Sequence, residues 1–298
     1  MKNKMKLTNN RIKLIKNKMK STKIMMILLL SVLFVSCEEN VVDTSGIKYK
    51  EQLVIKAFIF AGENAKNIII TRTLHPLEKY NAEKALVKNA EAAIIHNNRR
   101  YNLTYNENTQ SYENVDIVFM EGEKYELVVN WRNLKATATT TIPKFEVVRN
   151  YYSFEYVEYW EWGWWQSYWA MNINAIVRGD KNAVYAISYS GSGDYYYFDY
   201  DKLIDASRNT ADTFKVVYND MYKYSNIKDS VTYINFAKRY SYRVTGFAHQ
   251  LWDYNRTLEN RAMDMDILFG NSLNVKWNIE GDGIGLFIGS NQKEFKLE

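Results

Sequence analysis

Residues 53–73 read LVIKAFIFAGENAKNIIITRT, and this stretch decides the fold class. Leu53 to Phe60 is apolar except at Lys56 and rich in β-branched and aromatic residues, which is the pattern of a buried strand. Ala61 to Lys66 (AGENAK) supplies a glycine and an asparagine for a turn, and Asn67 to Thr73 (NIIITRT) returns as a second strand. A chain that opens on such a hairpin is expected to be a β protein.

The following residues extend that pattern. Glu91 to His96 and Arg100 to Tyr105 flank Asn97-Asn98, a pair that tolerates positive φ and suits a tight hairpin. Lys124 to Trp131 (KYELVVNW) alternates, turns at Arg132-Asn133 and returns as Leu134 to Ile142, ending at Pro143. About six or seven short antiparallel strands predict a β-sandwich of immunoglobulin-like or transthyretin-like type over residues 51–145. Nothing in it calls for a cofactor.

Beyond Pro143 the composition shifts toward aromatics, which places a domain boundary there and a second, β-rich domain over residues 146–298. Tyr152, Phe154, Tyr156, Trp160, Trp162 and Trp164 share one parity and Ser153, Glu155, Glu161 and Gly163 the other, the period of a half-buried strand. Fully extended, its aromatic face would run about 40 Å, so a bend or hairpin is expected near Gly163. Met171 to Val177 is expected to bury its odd positions, and Arg178 to Asn182 to turn into a strand over Ala183 to Tyr189. A loop is expected through Ser190-Gly191-Ser192-Gly193 and a short helix over Asp201 to Ser207. Tyr242 to Phe247 reads as a strand. Ala248 to Ala262 carries Leu251, Tyr254 or Asn255, Leu258 and Ala262 at helical spacing, which predicts one packed helix. Val275 to Gly289 reads as a strand, a glycine-rich turn and a closing strand.

The first residues speak to location. Residues 1–36 carry nine Lys or Arg and no Asp or Glu, and Ile24 to Val35 is apolar apart from Ser31. Twelve helical residues span roughly 18 Å, short of the ~30 Å hydrocarbon core, so a signal peptide is the stronger reading than a membrane span. A chain begun at Met19 would avoid the unusually long basic stretch before it. The apolar run ends in Leu33-Phe34-Val35-Ser36-Cys37, which resembles a bacterial lipobox. Lipidation and cleavage at Cys37, the only cysteine, would leave an acidic tether over residues 37–50 and no thiol for a disulfide or a multi-cysteine zinc site. Glu38 and Glu39 directly after it resemble the surface-export signal of Bacteroidota lipoproteins. Without residues 1–36 the chain keeps 30 basic and 34 acidic side chains, so the net charge of +5 belongs to the discarded part and a nucleic-acid partner loses its support.

Several segments together resemble one family, the Bacteroidota lipoproteins of domain of unknown function 4249. They are the lipobox cysteine, LVIKAFIF turning into IIITRT, EGEKYELVVN before TATTTIP, LWDYNRTLENR, and the terminal NIEGDGIGLFIGS. The resemblance covers nearly the whole mature chain. It departs at Asp282, where relatives tend to have a second glycine, and at the tryptophan cluster, which matches no family motif. It implies an outer-membrane accessory lipoprotein, often encoded beside TonB-dependent receptors, with no assigned activity.

Residues that could carry chemistry do not assemble into it. His75 precedes a proline, His96 lies at a hairpin and His249 starts the helix, and none accompanies a nucleophile elbow. Gly281-Asp282-Gly283-Ile284-Gly285 lacks the Lys-Ser/Thr of a phosphate loop, so close backbone packing in a turn explains it better. Asp264 and Asp266 are a minor candidate for a cation, and Arg178-Gly179-Asp180 reads as a turn rather than an adhesion motif. Glu158 and Glu161 have opposite parity on one strand and cannot flank one glycosidic bond without a bulge, which counts against a glycoside hydrolase. No enzyme, metal or cofactor is expected. The expectation is a non-enzymatic surface lipoprotein that binds a glycan or peptide nutrient or a TonB-dependent receptor, with Trp162, Trp164, Trp165, Tyr168 and Trp169 as its exposed patch. The alternatives are a structural or adhesive envelope lipoprotein, and rings that lie in the core.

Overall fold

The computed structural model describes residues 49–298 apart from Pro76, Trp162, Glu298 and the stretches 191–202, 225–233, 236–237, 239–240 and 264–274. The leader, Cys37, Glu38, Glu39 and the loop through Gly191-Ser192-Gly193 therefore lie outside the described residues, as do Asp264 and Asp266. The first segment contains β1 (Leu53–Phe60), β2 (Asn64–Arg72), a helical turn α1 (Ala82–Ala85), β3 (Glu91–His96), β4 (Arg99–Asn102), β5 (Thr104–Asn106), β6 (Ser111–Val118), β7 (Lys124–Trp131) and β8 (Leu134–Thr141). The second contains β9 (Phe145–Glu161), β10 (Trp164–Gly179), β11 (Ala183–Ser190), β12 (Ile204–Asp205), β13 (Thr213–Tyr224), β14 (Ser241–Ala248), α2 (Gln250–Met263), β15 (Glu280–Gly281) and β16 (Gly283–Lys296).

The protein is mainly β. Its strands form an eight-stranded sheet in the order β12-β11-β14-β16-β1-β2-β6-β5, a five-stranded sheet β15-β8-β7-β3-β4 and a three-stranded sheet β13-β10-β9. The hairpin read from residues 53–73 is present as the antiparallel pair β1–β2, and Leu53, Ile55, Ala57 and Ile59 all turn inward. They meet Leu127 and Val129 of β7 and Ala136 and Ala138 of β8 across a sandwich core. Tyr112 and Tyr125 enter that core with their hydroxyls satisfied. Tyr112 donates to the Val87 carbonyl at 2.7 Å, and the Tyr125 hydroxyl accepts from the Met120 amide at 2.8 Å. Asn97 and Asn98 both adopt positive φ at the β3–β4 turn, as that turn requires.

β16 is the strand that joins the two segments. It runs parallel to β1, from Leu53↔Gly283 to Phe60↔Ser290, and antiparallel to β14 from Phe247↔Ser290 to Ser241↔Lys296. One face of β16 places Phe287 in the sandwich core. The same face places Phe295 against a second core, built from Met171, Ile173, Ala175 and Val177 of β10 with Tyr185 of β11 and Val244 of β14. The other face packs Leu286 and Ile288 against Leu251 and Trp252 of α2, the packed helix expected from the periodicity. The boundary expected at Pro143 thus falls between two apolar cores that share one sheet.

Three expectations are corrected. Residues 275–279 form no strand, and of the glycine run only Gly281 and Asp282 carry the chain round, from the two-residue β15 into β16, whereas Gly283 to Gly285 already belong to β16 and Gly285 lies against backbone where a side chain would not fit. A Cβ on Gly285, whose φ is +119°, would overlap the Ile55 carbonyl oxygen, and one on Gly289 would sit 2.8 Å from that of Thr141. Of the helix expected over Asp201 to Ser207, the described part from residue 203 instead forms the short β12 followed by a 3-10 turn at Ala206–Arg208, where the Asp205 side chain caps the Ser207 amide. The single strand expected over Arg100 to Tyr105 is broken at Leu103, so β4 and β5 belong to different sheets. We expect Gly285→Ala to destabilise the protein by more than about 3 kcal/mol in urea unfolding, through strain plus overlap. Gly62→Ala, also at positive φ but with nothing within 4 Å, should cost only about 1 kcal/mol.

Candidate functional site

The hairpin expected near Gly163 is β9–β10, two strands of 17 and 16 residues. Gly163 has φ +84° and closes a two-residue turn between the paired residues Glu161 and Trp164. Directly paired residues share a face, so the register sorts the side chains. At the base, Tyr152↔Ile173 and Phe154↔Met171 face the second core. Further out, the same face carries Tyr156, then Glu158↔Ser167, then Trp160↔Trp165. Apart from the polar pair Glu158↔Ser167, the aromatic face therefore continues past the point where the core ends.

The outer rings face solvent. Trp164 is 73 % exposed, Trp165 71 %, Trp160 60 % and Tyr156 50 %. Trp160 and Trp165 meet edge to face, with centroids 5.5 Å apart and planes at 73°. Trp164 pairs with Glu161 and so takes the opposite face from Trp165, as two consecutive strand residues must. Trp162 and the side chains of Tyr168 and Trp169 lie outside the described residues. Trp160 and Tyr156 were read as part of the aromatic stripe but not as part of the patch. Their distance from the core, which only the register reveals, is what exposes them.

The opposite face of the base was not legible. In MNINAIV the odd positions are buried as expected, but Asn172 and Asn174 on the other face are buried too. Asn174 donates to the Ser153 hydroxyl at 3.0 Å and Asn172 to the Glu155 carboxylate at 3.1 Å, so a cross-strand polar ladder replaces the solvent expected there. A second feature without a sequence signal is a cleft of about 850 Å³ between the two cores, lined in part by Glu121, Lys144, Asn150, Arg178 and Lys293. Lys293 donates to Glu121 at 2.9 Å, and this hydrogen bond holds the Glu121 carboxyl below its usual value despite partial burial.

The remaining candidates hold structure together. His75 accepts from the Leu77 amide, and His96 bonds the Lys124 carbonyl and stacks on Tyr125. His249 lies 3.4 Å from Asp205. Arg178 pairs with Glu146, a Cβ on Gly179 would overlap Phe145, and Asp180 accepts from the Asn182 amide. Asp282 receives Lys50 at 2.9 Å and the Lys135 amide at 3.3 Å where the chain passes from β15 to β16. Among the described residues no three His, Cys, Asp or Glu side chains gather as metal ligands, and no helix is long and apolar enough to cross a membrane.

The architecture defines a class, a mainly-β protein in which one large sheet serves two cores and a long aromatic hairpin extends beyond the second. The chain belongs to the family described as Domain of unknown function (DUF4249), whose model matches residues 39–296. No curated protein matches it.

Because the outer rings are solvated, Trp164→Ala and Trp165→Ala should each change unfolding free energy by less than about 0.5 kcal/mol. Ile173→Ala at the buried base should cost about 2–5 kcal/mol in the same urea titration. Asp205 offers a pH test. Burial raises its pKa, but hydrogen bonds from Ser207 and the charges of His249 and Arg208 outweigh this and hold it below 3.8. A lowered folded-state value contributes stability that is complete above the unfolded pKa and is lost as pH falls through the folded one. The melting temperature of Asp205→Asn should therefore be lower at pH 7, and the difference from the native protein should shrink as pH falls below 3.8 through the lowered folded-state value.

Proposed function

We propose that this protein is a non-enzymatic lipoprotein of the outer membrane, facing the cell surface, that assists TonB-dependent nutrient uptake. It does so by binding a ligand or a receptor through the outer end of the β9–β10 hairpin. The observation that carries this reading is the exposure of Trp164 and Trp165, 73 % and 71 %, beside Trp160 at the tip of one hairpin. A tryptophan buries some 150–250 Å² when covered, so several rings left in water at one place are a surface waiting for a partner. Rigid aromatic side chains lose little entropy on binding, which suits them to be contact anchors.

The location rests on the sequence. Acylation of Cys37 would supply buried methylenes worth about 0.8 kcal/mol each, enough in number for a firm anchor. Glu38 and Glu39 follow it at the place of the surface-export signal of Bacteroidota lipoproteins, and the association with TonB-dependent receptors is what the family resemblance implies. Against hydrolysis of glycans, Glu158 and Glu161 have opposite parity in the sequence of one strand, which keeps such a pair from flanking one bond.

The test is metabolic labelling with palmitate followed by gentle solubilisation of outer membranes and co-purification. The native protein should carry label and bring down a TonB-dependent receptor in stoichiometric amount, or else show a tryptophan fluorescence change with a nutrient ligand. Cys37→Ser should lose the label, and Trp164→Ala/Trp165→Ala should keep the label but lose the partner. An unlabelled native protein, or a double variant that retains the same receptor or ligand, would sink the proposal.

A further inference from the structure

The far end of β2 lies beside the point where the chain enters β1. The Thr73 amide donates to the Gln52 carbonyl at 2.9 Å, and the Gln52 amide donates to the Thr73 hydroxyl oxygen at 3.0 Å. From there the chain leaves the sheet as a loop over residues 74–81. It rejoins β2 after α1, where the Val87 amide donates to the Ile70 carbonyl at 3.1 Å. The loop is also braced within. The Glu78 amide donates to the His75 carbonyl at 2.8 Å, the Asn81 side chain caps α1 by accepting from the Lys84 amide at 3.1 Å, and Lys84 bonds the Glu78 carboxylate at 2.9 Å. Both arms of the excursion are therefore fixed to one strand, at the end of the sheet where the tether read over residues 37–50 joins it.

This braced loop holds two apolar side chains in water. Leu77 is 64 % exposed and Tyr80 76 %. Lys79 between them is exposed as well and makes no ion pair among the described residues. The carboxylates of the same stretch are matched, Glu78 by Lys84 at 2.9 Å and Glu83 by Lys88 at 4.0 Å. The hydrogen bond from Lys84 also holds the Glu78 carboxyl below its ordinary value, so it stays ionised and paired. The loop thus presents a leucine, a lysine and a tyrosine with no uncompensated acid beside them. That set suits the headgroup layer of a bilayer, where tyrosine rings settle at the interface and a lysine meets lipid phosphate. Position decides the occupant. Residues 37–50 can span at most roughly 45 Å, so lipid carrying the anchor is always within reach of this end of the body. Within that radius the contact is intramolecular, at an effective concentration of about a millimolar, and a patch too small to bind a membrane alone still settles on it. The exposed Val115 has no such advantage. Its carbonyl accepts from the side chain of Asn64, at the opposite end of β2 and roughly 30 Å away.

We infer that the loop over residues 74–81 is a second membrane contact, which sets Leu77 and Tyr80 into the headgroup layer of the membrane that holds the Cys37 acyl chains and places Lys79 against a lipid phosphate. The inference rests on the reading of Cys37 as lipidated and adds that the body lies on its membrane in one orientation. The acyl chains supply the affinity and the loop supplies the direction. A body held by its tether alone would take every orientation, whereas one held at two points turns the Gly62 end of the β1–β2 hairpin away from the lipid.

The test uses the full-length acylated protein in vesicles of phosphatidylethanolamine and phosphatidylglycerol. Acylation blocks Cys37, the only cysteine, so Tyr80→Cys and Val115→Cys can each take an environment-sensitive fluorophore at one site. Spin-labelled lipids should quench the label at position 80 at least about fivefold more than the label at position 115. Adding Leu77→Ser/Lys79→Ser to Tyr80→Cys should remove that difference and leave the melting temperature unchanged. In the unsubstituted protein on vesicles, amide hydrogen exchange over residues 77–81 should be at least about tenfold slower than in Cys37→Ser free in solution. Equal quenching at the two positions, or unchanged exchange, would overturn the inference. Protection that appears without lipid as protein concentration rises would assign the loop to a second copy of the chain and overturn it too. A native protein that takes up no palmitate would remove the lipoprotein reading and this inference with it, whereas a palmitate-labelled protein with an unquenched loop would lose the second contact alone.

Discussion

The parallel pairing of β1 with β16 is the constraint on which the rest of the structure depends. It requires a strand that can lie flush against backbone on more than one side, and the glycines at 283, 285 and 289 make this possible. Asn278 completes the arrangement. Its side-chain amide donates to the Phe287 carbonyl at 2.6 Å and its oxygen accepts from the Phe287 amide at 2.8 Å, imitating a strand partner where β14 does not reach. With β16 in place, one sheet spans both segments of the chain. Phe287 and Phe295 on one face then belong to different cores, and between them Asn291 and Lys293 both donate to Glu121 in a polar seam.

That arrangement fixes the hairpin. Among the described residues only the inner parts of β9 and β10 have a sheet to pack against, where Ile173 and Met171 are fully buried and Tyr152 and Phe154 partly so. The strands are longer than the core beneath them, so the same apolar face runs out into solvent as Tyr156, Trp160 and Trp165. The aromatic stripe, broken only by Glu158 and Ser167, runs on where burial stops. Among the described residues the exposure follows from the extent of the facing sheet, and the polar pair Glu158↔Ser167 marks where it ends.

This explains what could be read from the residues alone. Strands with two-residue periodicity and local turn chemistry were legible: LVIKAFIF with NIIITRT, the Asn97-Asn98 hairpin, the turn at Gly163 and the helix that buries Leu251. Pairings between distant segments carry no local signal, so the glycine run reads as a turn throughout, although Gly283 to Gly285 are strand packed against β1. The buried Asn172 and Asn174 were hidden for a related reason, since polar residues at alternate positions normally mark a solvated face. Of the aromatic cluster, parity alone separated Trp164 from Trp165. The exposure of Trp160 depended on how far the neighbouring sheet reached.

The parallel pair also has a consequence in time. Leu53 is synthesised 230 residues before Gly283, yet they are partners. Closing so long a loop adds little to the equilibrium cost, because the entropy grows only with the logarithm of length. The wait is kinetic. Until the C-terminal strand emerges, β1 lacks its neighbour on that side and the N-terminal sandwich lacks Phe287, leaving a nascent edge and an open core. Loss of β16 would leave β1 paired with β2 alone and permanently without its parallel neighbour.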